Sequence, residues 1–385
     1  MKVDYLIRNG RVIDPANGTD EVKDIAVVGS RIVDLTEEPE TDWLNGVIDA
    51  KGCIVTPGLI DFHAHMFHEG SFNSVRADFL PADGVTAAVD AGTAGTANYE
   101  SFYKDVASSA AIHVRSYLSP HPLGQASMAY KPSWDYTKYD MKKLGWLLDQ
   151  YSGQILGLKM VDSKGMVPEE KANEYLDKLI EIAAAHGVGV CVHTTDPPVP
   201  VKEIAGRLRK GDIYAHCYQG KGDTIIGEDG KVKPEIRDAR ERGVLFDAAN
   251  GYGNFGMEVC RKALADGFLP DIISTDATIF FSRKPYYMKN LPTLMSKYAA
   301  LGMNLTDIVR AVTIAPAKAM GLSKQIGHLS PGAQADIAIL KWKEKSITFK
   351  DCLGASVTGS GILIPQLTML GGEIAYCQSD FYTEC

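Results

Sequence analysis

Short apolar runs alternate with amphipathic stretches through most of the chain, and this alternation restricts the fold more than any other feature of the sequence. Such runs are typical of buried strands, and the stretches between them, several of which open on proline, are typical of helices. Strands that alternate with helices form a parallel sheet covered by helices. The predicted strands are residues 53–62, 84–91, 112–118, 155–161, 187–194, 212–217, 243–249 and 270–276. Eight β/α units predict an α/β fold of the TIM (β/α)8 barrel type.

The two ends of the chain have a different pattern. Residues 3–14 and 24–36 read as strands with Asn-Gly and Gly-Ser turns, and strand-like segments return after residue 325. A barrel of about 250 residues leaves part of the 385-residue chain for a second domain. We therefore predict a barrel at residues 56–324 and a small β-sandwich formed by residues 1–55 together with residues 325–385.

Composition and charge argue against several kinds of partner. The net charge of −8 offers no basic stripe, so nucleic acid is not expected as a partner. No apolar run is long enough to cross a bilayer, so a membrane is not expected either. The N-terminal segment contains Asp4, Arg8 and Arg11 and lacks the apolar core of a signal peptide. The seven cysteines contain no Cys-x-x-Cys pair, which favours reduced thiols and a cytoplasmic location.

His63 and His65 lie at the end of the first predicted strand, in the segment PGLIDFHAH. Side chains alternate between the two faces of a strand, so both imidazoles point the same way and are suited to bind one metal ion. The alternative is a pair of buried histidines satisfied by hydrogen bonds. This pair alone does not decide between the two interpretations.

Polar residues also end four other predicted strands. A TIM barrel builds its active site at the C-terminal ends of its strands, where these residues would meet. Buried polar and charged side chains are rare unless they are paired or bound to metal, so the convergence favours a metal site over a set of structural residues. The candidate metal ligands are His63, His65, Lys159, His193, His216 and Asp276.

These segments resemble the amidohydrolase superfamily, specifically its binuclear branch with a carboxylated lysine. The motifs that carry the resemblance are PGLIDFHAH, GLKM, VCVHT, YAHC and STDAT, followed by IAPAKAMGL and IGHLSPGAQADIAIL. They extend over nearly the whole chain. The resemblance implies that His63, His65 and Asp276 hold the more buried of two divalent metal ions, and that the histidines of strands 5 and 6 hold the second. It also implies that Lys159, carboxylated by CO2, bridges both ions.

The implied ligands are imidazole nitrogens and carboxylate oxygens, which suit zinc, although manganese, iron or cobalt accept the same donors. Two divalent cations that share a water lower its pKa toward neutrality, so hydroxide is available at physiological pH. Hydrolysis is the expected reaction. Asp276 is the expected catalytic acid/base, which takes the proton of the water and passes it to the leaving group.

The substrate prediction depends on the residues after the histidine pair. Dihydroorotases of this branch carry an arginine soon after His-x-His, which grips the substrate carboxylate, whereas here the segment continues as MFHEG. This departure favours resemblance to the small deacetylases, which act on acylated amino or hydroxy acids. We expect a small-molecule substrate that carries an acyl group and a carboxylate. A homo-oligomer is compatible with the sequence.

Loops after the strands supply candidate substrate contacts. The glycine-rich segment of residues 250–256, NGYGNFG, would let backbone N–H groups approach a carboxylate, or it is a plain turn into the next helix. His68 follows the histidine pair and is either a substrate contact or a solvated loop residue. The full set of candidates is His68, Tyr117, His121, Gln125, Tyr218, Asn250 and Gly251.

Three other functions are alternatives to a deacetylase. A cyclic amidase acting on a dihydropyrimidine or hydantoin would use the same metal site. A non-catalytic relative that serves as an interaction protein would be expected to lose ligands, whereas this chain retains all six. A mononuclear nucleobase deaminase would not need Lys159 and would carry a glutamate after the fifth strand, where this chain has Asp196 and two prolines.

Overall fold

The computed structural model describes residues 2–35, 46–126, 139–279 and 290–381. Residues 1, 36–45 and 382–385 of the predicted sandwich lie outside the described residues. Within these ranges the chain begins with short strands that belong to the second domain. They are β1 (Tyr5–Arg8), β2 (Arg11–Asp14), β3 (Thr19–Val22), β4 (Ile25–Val28), β5 (Arg31–Val33), β6 (Val47–Asp49) and β7 (Ile54–Pro57).

A curled sheet of parallel strands forms the middle of the molecule, and its strands are neighbours in chain order. They are β8 (Leu59–Ala64), β9 (Val85–Gly95), β10 (His113–Ser119), β11 (Ile155–Val161), β12 (Gly189–His193), β13 (Ile213–Ala215) and β14 (Leu245–Asp247). Each of these strands overlaps one of the predicted apolar runs. The seven strands supply all but one member of the predicted barrel.

The eighth predicted strand, residues 270–276, closes the barrel without forming a regular strand. Ile272 bridges Asp247 at the end of β14, and Ala277 bridges Ala64 at the end of β8. Asp276 has a φ of +53°. A residue in this left-handed region interrupts the hydrogen-bond ladder of a strand. The predicted TIM barrel is therefore present, and its closing segment is irregular at the residue predicted to be catalytic.

Helices cover the outside of the barrel, between the strands. Within the described ranges they are α1 (Tyr99–Phe102), α2 (Met141–Gln150), α3 (Glu169–Ala185), α4 (Val201–Arg207), α5 (Pro234–Glu241), α6 (Met257–Ala265), α7 (Leu291–Ala300), α8 (Leu305–Ala311) and α9 (Ile314–Ala319). A 3-10 helix spans Ala77–Asp83, and a π-helical turn spans Tyr103–Ala107. Side-chain caps start several of them: Asp140 accepts from an N–H of α2, and Asn290 accepts from one of α7. None of the described helices is both long enough and apolar enough to cross a membrane.

The last strands of the chain complete the second domain. They are β15 (Ile337–Lys350), β16 (Ser356–Leu370) and β17 (Glu373–Cys377). β7 pairs with both β15 and β2, so one sheet, in the order β17-β16-β15-β7-β2-β3, contains both ends of the chain. A second sheet has the order β5-β4-β1-β6. Buried side chains such as Ile7, Val27 and Ile339 form their common core, as expected for two packed sheets.

The first predicted strand, residues 53–62, is in fact two strands that serve different domains. β7 ends at Pro57 in the sandwich sheet, and β8 begins at Leu59 in the barrel. Gly58 joins them where the backbone passes close to Thr86: a Cβ at Gly58 would lie 2.1 Å from Thr86 Oγ1. The predicted boundary at residue 55 therefore falls inside β7. A continuous apolar run hides the junction because both strands are buried.

Inside the barrel, apolar side chains form one layer and polar side chains form another. Ile60, Phe62, Val89, Tyr117 and Cys191 belong to the apolar layer. Tyr117 stands edge-on to Phe62, with ring centres 6.3 Å apart. The polar inward-facing residues occur at the C-terminal strand ends. This rim is where barrel enzymes build their active sites.

Candidate active site

A cavity of about 370 Å3 opens at the C-terminal rim of the barrel. Its volume lies within the range of small-molecule sites. Its floor is formed by His63, His65, Lys159, His193 and Asp276. A wider groove of about 610 Å3 lies elsewhere on the barrel, and the described residues that line it include neither histidine nor cysteine. The smaller cavity is therefore the chemical site.

His63, His65 and Asp276 form a buried cluster whose ligand atoms all lie within 4.8 Å of one another. Asp276 Oδ1 is 3.2 Å from His65 Nε2 and 3.9 Å from His63 Nε2. The histidines follow β8 or lie within it, and their Nε2 atoms face Asp276, which lies in the closing segment of the barrel. One carboxylate oxygen and two imidazole nitrogens at this spacing suit a divalent metal ion.

The other predicted ligands lie beside this cluster. Lys159 Nζ is 3.1 Å from His63 Nε2. The ring of His216 lies 5.1 Å from that of His63 and 4.1 Å from that of His193, measured between ring centres. The structure thus brings all six predicted metal-ligand residues together at one rim.

His216 has a nitrogen that is left without a partner. Its Nδ1 is 2.6 Å from the carbonyl oxygen of Ala249 and must donate, because a carbonyl only accepts. Nε2 is then the unprotonated nitrogen of the neutral ring, and it is buried with no hydrogen-bond partner among the described residues. A buried lone pair without a partner is costly unless it binds something. This nitrogen therefore fits the role of a metal ligand.

His63, His193 and His216 are held in the neutral form that binds metal. Burial is the largest cause that lowers the pKa of His63 and His193 well below the ordinary value. Burial and the neighbouring His193 do the same for the pKa of His216. Neutral imidazoles offer a lone pair without first losing a proton. The donor set and its protonation state therefore fit a pair of divalent cations.

A second layer of buried groups orients the ligands, as is usual around metal-binding histidines. His63 Nδ1 donates to Asp247 Oδ2 at 3.3 Å, and His65 Nδ1 lies 2.8 Å from Thr93 Oγ1. Asp90 accepts from the backbone N–H of Thr93 at 2.7 Å. Because Nδ1 of each imidazole is engaged, Nε2 is the nitrogen that faces the site.

Sequence reasoning missed Asp90 and Asp247, although the rule it used would have found them. Both lie at the ends of predicted strands, the second and the seventh, and both are fully buried. Burial raises the pKa of Asp247 to about 7. Asp61, two residues before His63, is also buried and accepts from the backbone N–H of Thr275 at 3.0 Å. It thereby supports the segment that carries Asp276.

Backbone geometry turns two of the ligands inward. His216 has a φ of +63° and Asp276 a φ of +53°, both in the left-handed region. A non-glycine residue pays about 1–3 kcal/mol for such a conformation, and these outliers cluster at functional sites. His216 directly follows β13 and Asp276 lies in the irregular closing segment of the barrel, where an ordinary extended residue would continue along the sheet.

Three predicted substrate contacts are corrected by their positions. Tyr117 belongs to the apolar layer inside the barrel. Tyr218 is fully buried and donates its hydroxyl hydrogen to the carbonyl of Phe268 at 2.7 Å. Asn250 is also fully buried, and its side chain is occupied by Lys297 and Tyr298. The polar groups of Tyr218 and Asn250 lie in the core, and each is hydrogen-bonded there because an unpaired buried polar atom would be costly. Neither group is therefore available to a substrate.

The remaining candidates lie nearer the cavity. Gly251 packs against Asp276, since a Cβ there would lie 2.4 Å from Asp276 Oδ2. Gln125 lines the cavity, and its Nε2 is 3.0 Å from His65 Nε2. His68 pairs with Glu69 at 2.5 Å and is not part of the lining, nor is His121.

Beside apolar residues such as Phe72 and Val161, the cavity walls contain neutral polar groups, of which the sequence analysis singled out only Gln125 and the loop of Asn254. Except for Ser119, which ends β10, these polar groups come from loops after the strands, and loop residues carry no periodic signal. They are Ser71, Asn73, Ser119, Gln125, Asn254 and Thr278. Two of them touch the metal-ligand cluster: Gln125 contacts His65, and Asn254 Nδ2 donates to Asp276 Oδ2 at 2.8 Å.

Comparison with known proteins agrees with this geometry. The profile of the Amidohydrolase family matches residues 54–374. A deacetylase of Agrobacterium fabrum is 28% identical over 334 residues, which cover 85% of this chain and 80% of that protein. A dihydroorotase of Streptococcus thermophilus is 34% identical over an alignment 454 positions long, which covers 96% of this chain and 99% of that protein.

Among solved structures, one described as an adenine deaminase superposes with a TM-score of 0.87 at 26% identity, covering 98% of this chain and 100% of that chain. The family match spans the barrel and most of the later sandwich strands. The fold, the rim cluster and the sequence match agree with one another. This chain belongs to the amidohydrolase family, whose members are hydrolases acting on carbon–nitrogen bonds.

Proposed function

We propose that this protein is a binuclear metal-dependent deacetylase that cleaves an acyl-amide or acyl-ester of a small amino or hydroxy acid. The observation that carries the proposal is the buried cluster of His63, His65 and Asp276, with Lys159 3.1 Å from the first histidine. The similarity to a protein named deacetylase supports this choice of substrate. The absence of arginine from residues 66–70 supports it as well.

Two divalent cations, with zinc as the preferred metal, would be held by the six rim residues. His63, His65 and Asp276 would hold one ion, and the histidines of β12 and the β13 end would hold the other. Amidohydrolases are generally binuclear and metal-dependent, and imidazole with carboxylate is a donor set that zinc accepts. The unpartnered Nε2 of His216 supports its place in this set.

Lys159 would serve as the bridge after carboxylation by CO2, because an ammonium has no lone pair for a metal ion. Its side chain is 4% exposed, and within the described part of the chain it forms no ion pair with a carboxylate. A carbamate on Nζ would carry the opposite charge and would complement two divalent cations.

The bound cations would polarise the acyl carbonyl and acidify the attacking water. Asp276 is the group that moves the proton: its carboxylate takes a proton from the water as oxygen bonds to the acyl carbon. As the carbon–nitrogen or carbon–oxygen bond breaks, Asp276 returns that proton to the leaving group. Asn254 donates to Asp276 Oδ2 and holds the carboxylate in one orientation.

The cavity lining supports a small substrate bound by neutral groups. In the described lining Lys159 is the only lysine or arginine, so a substrate carboxylate would be held by hydroxyl and amide hydrogens. Ser71, Ser119 and Thr278 supply such donors around the cavity. The same inventory suits hydrogen-bonded recognition of an acyl-amide. We also propose a cytoplasmic location, which the six free cysteines of the described chain support.

A cyclic amidase is the second candidate, and the 34% identity to a dihydroorotase favours it. It would use the same rim residues, with the amide bond inside a ring. The difference would lie in the loops that hold the rest of the substrate.

Assays of the zinc-loaded protein on three panels of substrates separate these candidates. The panels are N-acetyl and O-acetyl amino or hydroxy acids, cyclic amides such as hydantoin and dihydroorotate, and adenine. We expect turnover in the acetyl panel and its loss in Asp276→Asn by a factor of roughly 10²–10⁴. Turnover confined to the cyclic panel, or to adenine, would overturn the deacetylase assignment. Full activity of Asp276→Asn would overturn the acid/base role.

A further inference from the structure

We propose that Lys297, buried behind the active site, is a positioning residue that holds Asp276 in place through the loop of residues 250–256. The catalytic consequence rests on the acid/base role proposed for Asp276. The physical link between Lys297 and the loop does not depend on that role. Lys297 itself touches neither the cavity nor any of the six rim residues.

Lys297 contacts both ends of the 250–256 loop. Its side chain is 6% exposed, on α7. Nζ donates to Asn250 Oδ1 at 2.5 Å and lies 3.5 Å from the centre of the Phe255 ring. Within the described residues it forms no ion pair with a carboxylate. The Nζ atom of Lys297 thus contacts Asn250, which opens the loop, and Phe255, which lies near its end.

The middle of the same loop packs on Asp276. Asn254 Nδ2 donates to Asp276 Oδ2 at 2.8 Å, and Asn254 Oδ1 accepts from Thr195 Oγ1 at 2.9 Å. Gly251 approaches so closely that a Cβ there would lie 2.4 Å from Asp276 Oδ2. Displacement of the loop would therefore reach the carboxylate directly.

The start of the loop is also tied to the segment that carries Asp276. The backbone N–H of Asn250 donates to Ser274 and that of Gly251 donates to Thr275, both at 3.0 Å. Asn250 Nδ2 donates to the hydroxyl of Tyr298 at 3.2 Å, which adds a second contact with α7. The hydrogen bonds run without a gap from α7 to the residues immediately before Asp276.

A lysine is an unusual choice for a purely structural role at this place. A buried ammonium without a carboxylate partner is unfavourable, and an apolar side chain of the same length would fill the space at lower cost. Burial lowers the pKa of Lys297 to about 7. What a methionine could not provide is the hydrogen bond from Nζ to Asn250 Oδ1 and, while the amine is protonated, the cation–π contact with Phe255. Both contacts are made to the loop.

The test uses Lys297→Met, which keeps the length of the side chain and removes the donor, and Lys297→Gln, which restores a donor. Lys318→Met, at an exposed lysine of α9, is the matched control. Hydrogen–deuterium exchange is measured on the metal-free proteins for the peptide that covers residues 250–256. We expect exchange at least tenfold faster in Lys297→Met, partial restoration in Lys297→Gln and no change in the control.

Kinetics then tests whether the link reaches Asp276. On any substrate that the wild type turns over, Lys297→Met should lower kcat about tenfold with KM unchanged, and Asn254→Ala should do the same. If both act through one loop, the double variant loses no more than the worse single variant. Effects that multiply would overturn the positioning role, and so would unchanged exchange in Lys297→Met. A wild type without turnover in any panel refutes the proposed function, whereas the exchange result still decides whether Lys297 holds the loop.

Discussion

Gly92 is the residue whose substitution probes the position of Lys159 most cleanly. Its φ is +84°, and a Cβ at this position would lie 2.5 Å from Lys159 Cβ and 2.8 Å from Lys159 Cγ. Those atoms belong to the stem of the lysine, which cannot swing away as a side-chain tip can. Gly92→Ala should therefore push Lys159 out of its place between His63 and the cavity.

The magnitude follows from two separate costs. A left-handed residue with a Cβ costs about 1–2 kcal/mol. Displacement of packed neighbours costs about 1–3 kcal/mol more. Gly153→Ala isolates the first cost, because Gly153 has a φ of +78° and a Cβ there would have no neighbouring atom within 4 Å. The free energy of unfolding should thus fall by about 1–3 kcal/mol more in Gly92→Ala than in Gly153→Ala.

Denaturant unfolding of the metal-free proteins measures that difference, and metal analysis of the zinc-loaded proteins measures its consequence. We expect Gly153→Ala to retain as much zinc as the wild type and Gly92→Ala to retain clearly less. Equal stability and equal zinc content in the two variants would refute the reasoning, because Lys159 would then tolerate displacement.

Three further predictions address the groups around the site. Asp247→Asn removes the carboxylate that accepts from His63 Nδ1. Zinc affinity, measured against a competing chelator, should fall about 10–100-fold. Unchanged affinity would contradict the role of Asp247 in orienting His63. Tyr218→Phe should leave kcat/KM unchanged, because the hydroxyl donates to the carbonyl of Phe268 and not to substrate. Denaturant unfolding should show a free energy of unfolding lower by about 1 kcal/mol. A fall in kcat/KM at unchanged stability would restore Tyr218 as a substrate contact. The lowered pKa of Lys297, about 7, means that between pH 7 and 10.5 the unfolded chain holds a proton that the folded chain has released. Wild-type stability relative to Lys297→Met should therefore rise with pH over this range, by up to about 1.4 kcal/mol per pH unit, and parallel stability curves for the two proteins would contradict the burial of a titrating amine.

The fold was largely predictable because the period of the apolar residues specifies strands and helices before any contact is known. The junction at Gly58 was not predictable, since IVTPGLIDF is apolar throughout and both of its strands are buried. The irregular closing segment was not predictable either. Asp276 adopts a left-handed φ because the surrounding barrel imposes it, and local sequence does not encode that constraint.

The ligand residues were predictable because parallel strands bring their C-terminal ends to one rim, so position along the chain determines position in space. The loops follow no such rule. Asn250 and Asn254 lie in the same glycine-rich loop, yet the first side chain meets Lys297 in the core and the second meets Asp276 at the cavity. Only the fold of the loop decides which of the two faces the site.

A carboxylated Lys159 that bridges two metal ions is central to the proposed function, and metal stoichiometry with labelled CO2 tests it most directly. Wild type and Lys159→Ala are loaded with zinc in 13C-bicarbonate, then analysed for zinc per chain and for a labelled carbamate carbon by NMR. We expect two zinc ions and one labelled carbon per wild-type chain, and the loss of both in Lys159→Ala. Two zinc ions in Lys159→Ala, or a fully loaded wild type without a labelled carbon, would contradict the bridging role.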